Sequence, residues 1–186
     1  MIGFIKGAAV ACALTAGLAS VALAQEKTVM VGGAAMYPSK DIIDNAVNSK
    51  DHTTLVAAVK AAGLVETLKG KGPFTVFAPT NDAFAALPAG TVETLVKPEN
   101  KATLTKILTY HVVPGKLDSA ALMAQAKMHG GMHTLKTVSG GTLTVVVNGA
   151  TLALKDEKGG MATITTADVY QSNGVIHVIS AVAMPK

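Results

Sequence analysis

The sequence has almost no cysteine: in 186 residues the one thiol is that of Cys12, near the amino terminus. Residues 1–24 are typical of a secretory signal peptide, because Lys6 precedes a short apolar run and Ala22–Ala24 supplies a small-x-small cleavage site. Cleavage there removes Cys12, so we expect no disulfide, thiol nucleophile or thiolate ligand in the exported chain. A lipoprotein signal that uses Cys12 is the alternative for this segment.

Arginine and tryptophan are absent, and aromatic residues make up 4% of the chain. All 16 basic residues are therefore lysines. Once Lys6 leaves with the signal, 15 lysines face 12 acidic residues, a net charge of +3. Nucleic-acid surfaces depend on bidentate arginine contacts and on aromatic stacking. We therefore predict no nucleic-acid partner, and at most weak attraction to anionic surfaces.

Long apolar runs and catalytic signatures are also missing after residue 24. No run is long enough to cross a bilayer, so we predict a chain without a membrane span, in the periplasm or outside the cell. There is no Gly-x-Ser-x-Gly elbow and no His-Glu-x-x-His run. Gly70 and Lys71 resemble the end of a phosphate loop, but Val65 stands where its first glycine belongs. We predict that the protein is not an enzyme.

One domain follows a short lead-in. Residues 25–38 are rich in glycine and alanine and show no period, so we interpret them as a linker or an extended arm. The domain is then predicted to cover residues 39–186, a length that suffices for a hydrophobic core. Ser39 is predicted to cap its first helix.

Helical and strand patterns separate along the domain. Helices are predicted in the first half, one of them capped by Thr80 or Asn81, and a later helix is predicted over residues 119–127. The second half alternates apolar and polar residues, and Asn148-Gly149 between two such runs is a strong hairpin signal. Helices followed by strands predict an α+β domain.

Three segments carry a resemblance to a known family. They are FTVFAPTNDAFAALP (residues 74–88), LTYHVVPGKL (residues 108–117) and NGVIHVISAVAMP (residues 173–185). In order and spacing they resemble the two homology boxes and the intervening Tyr-His segment of fasciclin (FAS1) domains. The opening GGAAMYPSKDIIDNA further resembles small secreted single-domain bacterial members.

The resemblance implies a fold and a role. The fold is a wedge of two β-sheets, about seven strands in all, with helices packed on one side. The role is extracellular: cell adhesion or attachment to a surface or matrix, through binding of an extracellular or cell-surface protein or glycan. In this family the Tyr-His segment has been implicated in partner recognition, which makes Tyr110 and His111 candidate partner-binding residues. Neither the partner nor the oligomeric state is specified by the sequence.

A structural role is the alternative for the same two residues. His111 falls on the helical stripe of Leu104, Ile107 and Leu108, and that position buries the imidazole, which must then form hydrogen bonds inside the protein. Tyr110 can likewise bury its ring while its hydroxyl reaches a partner.

The hexapeptide MHGGMH, residues 128–133, is the second candidate site. Thioether sulfur is soft and imidazole is borderline, a pairing that suits copper, above all Cu(I). The candidate metal ligands are Met128, His129, Met132 and His133. A periplasmic copper-binding protein is thus the alternative function, and copper is the one cofactor considered. The segment is equally compatible with an exposed turn in which Gly130 ends the preceding helix.

Overall fold

The computed structural model describes residues 28–186, so the signal peptide predicted for residues 1–24 lies outside the described residues. The strands are β1 (Val29–Val31), β2 (Ala34–Met36), β3 (Phe74–Pro79), β4 (Val112–Pro114), β5 (Met132–Lys136), β6 (Thr142–Asn148), β7 (Thr151–Lys155), β8 (Met161–Gln171) and β9 (Gly174–Ile179). The helices are α1 (Ile42–Ala46), α2 (Thr53–Ala62), α3 (Val65–Lys69), α4 (Asn81–Ala85), α5 (Thr91–Leu95), α6 (Lys101–Tyr110) and α7 (Ser119–Met128). Short 3₁₀ turns precede α2 and α6, at Lys50–His52 and Pro98–Asn100.

Seven of the strands form one curved sheet in the order β4-β3-β9-β8-β7-β6-β5. β3 and β9 run parallel, and every other neighbouring pair is antiparallel. β8 belongs to both halves of the sheet: its first residues pair with β7, and after Ile164 two register shifts bend it along β9. The two ends of the sheet meet where the Val138 amide donates to the Val112 carbonyl, at 2.8 Å. The predicted α+β wedge of about seven strands is confirmed.

Two apolar cores lie on opposite sides of β3 and β9. Side chains alternate across a strand, so Val76 of β3 enters the core under the helices while Phe77 enters the core inside the curl of the sheet. The first core receives α1, α2, α3, α4 and α6, and the second receives α7. This double burial explains why β3 and β9 are continuous apolar runs in the sequence.

Most of the local predictions are confirmed. Thr80 caps α4, its hydroxyl accepting from the Ala83 amide, and α7 spans Ser119–Met128 as predicted. Asn148-Gly149 lies at the turn between β6 and β7. The predicted cap at Ser39 is wrong: Asp41 caps α1, because its carboxylate lies 2.8 Å from the amide of Asp44.

The lead-in differs from the linker or extended arm predicted for residues 25–38. Residues 29–36 form an antiparallel hairpin, β1 and β2, around Gly32 and Gly33, whose φ angles are +58° and +76°. Val31 and Met36 are buried against the helical core. The two glycines make the tight turn possible, and the buried side chains hold the hairpin on the domain.

Candidate binding sites

Tyr110, the last residue of α6, has a completely buried side chain. Its hydroxyl donates to the Thr142 carbonyl at 2.5 Å and accepts from the Glu157 amide at 3.1 Å. Burial raises the pKa of Tyr110 to about 12, so the hydroxyl keeps the proton that it donates. Tyr110 therefore ties the end of α6 to the start of β6 and to the turn after β7.

His111 follows directly and is 3% exposed. Its Nε2 accepts from the Ala183 amide at 3.0 Å, and its Nδ1–H donates to the Ile107 carbonyl at 2.8 Å. The bond that Nε2 accepts requires the neutral ring, and burial lowers the pKa of His111 below its ordinary value. The ring thus joins α6 to the carboxyl-terminal segment of the chain.

Neither member of the Tyr-His pair reaches the surface. The sequence indicates Tyr110 and His111 as candidate partner-binding residues, but the structure places both side chains in the interior, the arrangement expected from the helical stripe. No partner can contact these rings directly in this fold. They can affect a binding surface only indirectly, by holding in place the elements that they join.

The MHGGMH segment is the connection between α7 and β5. Met128 ends the helix, and the chain reverses at Gly130 and Gly131, with φ of +72° and +95°. The predicted turn geometry is therefore present, and only glycine adopts such angles without strain. Within residues 28–186, no group of three or more His, Cys, Asp or Glu side chains is placed to hold a metal ion.

The same turn nevertheless brings two imidazoles together. The ring centroids of His129 and His133 lie 5.1 Å apart, with 37° between the ring planes. Met128 and Met132 are 74% and 53% exposed. Successive residues of a strand point to opposite faces, so Met132 lies on the face opposite His133. The four candidate ligands thus do not converge on one point.

A polar cleft of about 340 Å³ opens beside the turn between β8 and β9. Its lining residues are Lys71, Gly72, Pro73, Lys116, Gln171, Ser172, Asn173 and Gly174. Next to it Tyr170 is 37% exposed, and the ammonium of Lys116 lies 4.8 Å from the centroid of its ring. Among the described residues, Lys69 is the lysine that forms ion pairs with carboxylates. Lys71 and Lys116 form none, so their ammonium groups can contact a partner.

The floor of this cleft is held rigidly. The Asn173 side chain accepts from the Ile42 amide at 3.1 Å and donates to the carbonyls of Leu68 and Gly70, at 2.7 and 3.0 Å. Gln171 accepts from the buried amide of Asn45. Each amide side chain has partners on different elements, so the cleft is preformed.

A second exposed tyrosine belongs to a segment that is hydrogen-bonded to the rim of the cleft. The Ser172 amide donates to the Lys40 carbonyl at 2.9 Å, which fixes the segment after β2 beside the cleft. The Lys40 ammonium lies 5.1 Å from the centroid of the Tyr37 ring, and Tyr37 is 40% exposed. Sequence patterns did not predict this surface, because its residues come from four distant segments. The one available signal was the rarity of aromatics, since two of the three tyrosines lie here.

Comparison with known proteins gives consistent results. The family model described as Fasciclin domain matches residues 50–185. Protein sll1483 of Synechocystis sp. is 49% identical over 175 residues, covering 91% of this chain and 89% of that protein. Transforming growth factor-beta-induced protein ig-h3 of Sus scrofa is 35% identical over 148 residues, 80% of this chain but 20% of that protein.

A solved structure shares the fold. It is described as a FAS1 domain pair from the insect cell adhesion molecule Fasciclin I, and it matches with a TM-score of 0.70 at 16% identity. The match covers 78% of this chain and 51% of that one. Within residues 28–186, no helix has the length and apolar character needed to cross a bilayer.

Proposed function

We propose a binding function from one premise: this chain belongs to the fasciclin domain family. The protein is an exported fasciclin module that attaches to a surface, a matrix or a neighbouring cell by binding an extracellular or cell-surface protein or glycan. Export rests on the signal-like residues 1–24, and places the protein in the periplasm or outside the cell. Adhesion is supported by the likeness in fold to a domain pair from an insect cell adhesion molecule.

The cleft beside β8 and β9 is the observation that carries this function. Its volume falls within the roughly 300–1,000 Å³ that is usual for ligand clefts. Exposed tyrosines are enriched at interfaces, because a rigid ring gives contact area at little entropic cost. Lys71 and Lys116 add positive charge at its mouth. We therefore expect the partner to present negative charge at the point of contact.

Two acids offset part of this charge: burial first, and then the carboxylates of Asp168 and Asp118, raise the pKa of Tyr170 beside the cleft. Asp118 accepts from the Ala121 amide at 2.8 Å, and Asp168 accepts from the amide and hydroxyl of Ser119. Tyr110 and His111 support this function indirectly, without contacting the partner. They hold β4 and the carboxyl-terminal segment in place, and with them the frame on which Lys116 is carried.

Adhesion of a deletion strain tests the function. The strain is complemented with the natural protein, with a Lys71→Gln/Lys116→Gln/Tyr170→Ala variant, or with a Lys60→Gln/Lys97→Gln control. The control removes two exposed lysines that do not line the cleft. We expect the deletion and the cleft variant to attach less, and the control to restore attachment. Added salt should weaken attachment of the natural strain, because exposed charges are screened.

Equal attachment of all four strains on several surfaces would refute the adhesive function. Restoration by the cleft variant, with loss in the deletion, would keep adhesion and refute the cleft as its site. Purified natural and variant proteins should have matching thermal unfolding curves, since the three substituted side chains are exposed.

A further inference from the structure

We propose that His129 and His133 form a binding site for one copper ion at the turn between α7 and β5. The site lies outside the cleft and does not depend on the adhesive function. Its core is a pair of imidazoles that the fold, and not the sequence spacing alone, brings together. His129 follows the last residue of the helix and His133 is the second residue of the strand.

The distance between the rings fits a shared ion. Metal–imidazole bonds are about 2.0–2.1 Å long, which places two rings on one ion with centroids no more than about 6 Å apart. The observed separation is 5.1 Å. At that separation the two nitrogen–metal bonds can meet at an angle near that of tetrahedral coordination. Small rotations about the side-chain bonds are enough to direct both nitrogens to one point.

The backbone already orients one of the rings. The Nδ1–H of His129 donates to the Gln125 carbonyl at 2.7 Å. This bond assigns the proton to Nδ1 and leaves the lone pair of Nε2 free to bind a metal. When a histidine binds a metal through one ring nitrogen, the other ring N–H usually donates to a carbonyl or carboxylate. The exposed position of His129 also gives an ion direct access from solvent.

The ligand set favours copper over other divalent ions. Imidazole suits copper, nickel and zinc, and copper binds nitrogen ligands most strongly in the first-row series. Within residues 28–186 no carboxylate joins the two imidazoles in a group that could hold a metal ion, which argues against calcium or magnesium, since those ions take oxygen ligands. Met132 lies on the opposite face of β5 from His133, so the imidazole pair carries the site and water completes the coordination.

Titration of the protein with Cu(II) tests the site. The protein is used in the form that the producing cells release, without a polyhistidine tag. The heat of binding is measured by calorimetry, and the nitrogen hyperfine pattern is recorded by electron spin resonance. We expect one equivalent to bind with nitrogen coordination. His129→Ala and His133→Ala should each weaken binding at least about tenfold, since removal of a ligand costs no less than loss of an outer partner.

A Met128→Leu/Met132→Leu variant is the matched control, because it alters the same turn and keeps both imidazoles. It should bind Cu(II) as the natural protein does. No binding by the natural protein, or unchanged binding by the two histidine variants, would overturn the site. An equal loss in the methionine variant would overturn the assignment to the imidazole pair alone. Thermal unfolding of each variant confirms that the fold is kept.

Discussion

Mild acid is expected to destabilise this protein through three buried histidines. Burial lowers the pKa values of His52, His111 and His177 below the ordinary value of a free imidazole. In His111 and in His177 one ring nitrogen accepts a hydrogen bond from a backbone amide. Protonation of that nitrogen would break the bond and place two N–H groups against each other. The folded protein therefore binds fewer protons than the unfolded chain as the pH falls below about 6.5.

The sign and size follow from proton linkage. Stability from these groups is fully present above the unfolded pKa of about 6.5 and is lost as the pH falls below it. For each unit by which folding lowers the pKa of a buried histidine, the loss reaches about 1.4 kcal/mol once the pH is below the folded pKa. The three rings act together on the roughly 5–15 kcal/mol that holds a domain folded, so the loss is large enough to measure.

Nearby carboxylates reduce the loss of stability. Asp51 faces His52, Asp156 faces His111, and Asp118 and Asp168 face His177, and each raises the pKa of its histidine, opposing burial. Glu157 does not interfere. Backbone amides, first that of Lys186, lower its pKa, so its own effect on stability falls below the pH range considered.

Urea unfolding at about pH 7.5 and at about pH 5.5 measures the effect as a drop in unfolding free energy. A His111→Gln variant is the control, because glutamine offers one donor and one acceptor and does not titrate. We expect this variant to lose less unfolding free energy than the natural protein between the two pH values, because one titrating ring has been removed. Equal unfolding free energies at the two pH values would refute the account of the buried rings, and an unchanged pH dependence in the variant would refute the role of His111.

Two further predictions concern the interior. Tyr110→Phe should lower the unfolding free energy by about 1–3 kcal/mol, because it removes two hydrogen bonds that are partly buried; an unchanged melting curve would contradict that role. In Gly174→Ala the new Cβ would overlap the Phe74 carbonyl oxygen, so β3 and β9 cannot keep their pairing. We expect a loss of more than about 3 kcal/mol in urea unfolding, and natural stability in this variant would show that the two strands adjust freely.

Local signals in the sequence predicted the elements whose causes are local. Thr80 before an amphipathic run, Asn148-Gly149 between alternating runs and the stripe ending at His111 each act over a few residues, and each has the expected structure. The hairpin at Gly32 was missed although a Gly-Gly pair between apolar residues is itself a turn signal. Ser39 is not the cap because α1 begins at Ile42, so Asp41 is the residue that immediately precedes its first turn.

The candidate sites depend on contacts between distant segments, which periodicity does not contain. Lys71, Lys116 and Ser172 meet at one cleft because β9 lies next to both β3 and β8. The imidazole pair shows the opposite case: its residues are near in sequence, but a strand after the turn, not a continuous helix, decides which of them share a face. The residues of that pair were predictable, and their arrangement was not.

The position of β9 has a consequence for biosynthesis. This strand, at residues 174–179, follows β3 by about one hundred residues along the chain, yet it lies between β3 and β8 in the sheet. During synthesis about one hundred residues must therefore be added after β3 before its parallel neighbour is available. Until then both faces of β3 are apolar and one of its edges is unpaired. A nascent chain that lacks β9 is consequently a substrate for chaperones and proteases, and the sheet is completed only once β9 has emerged.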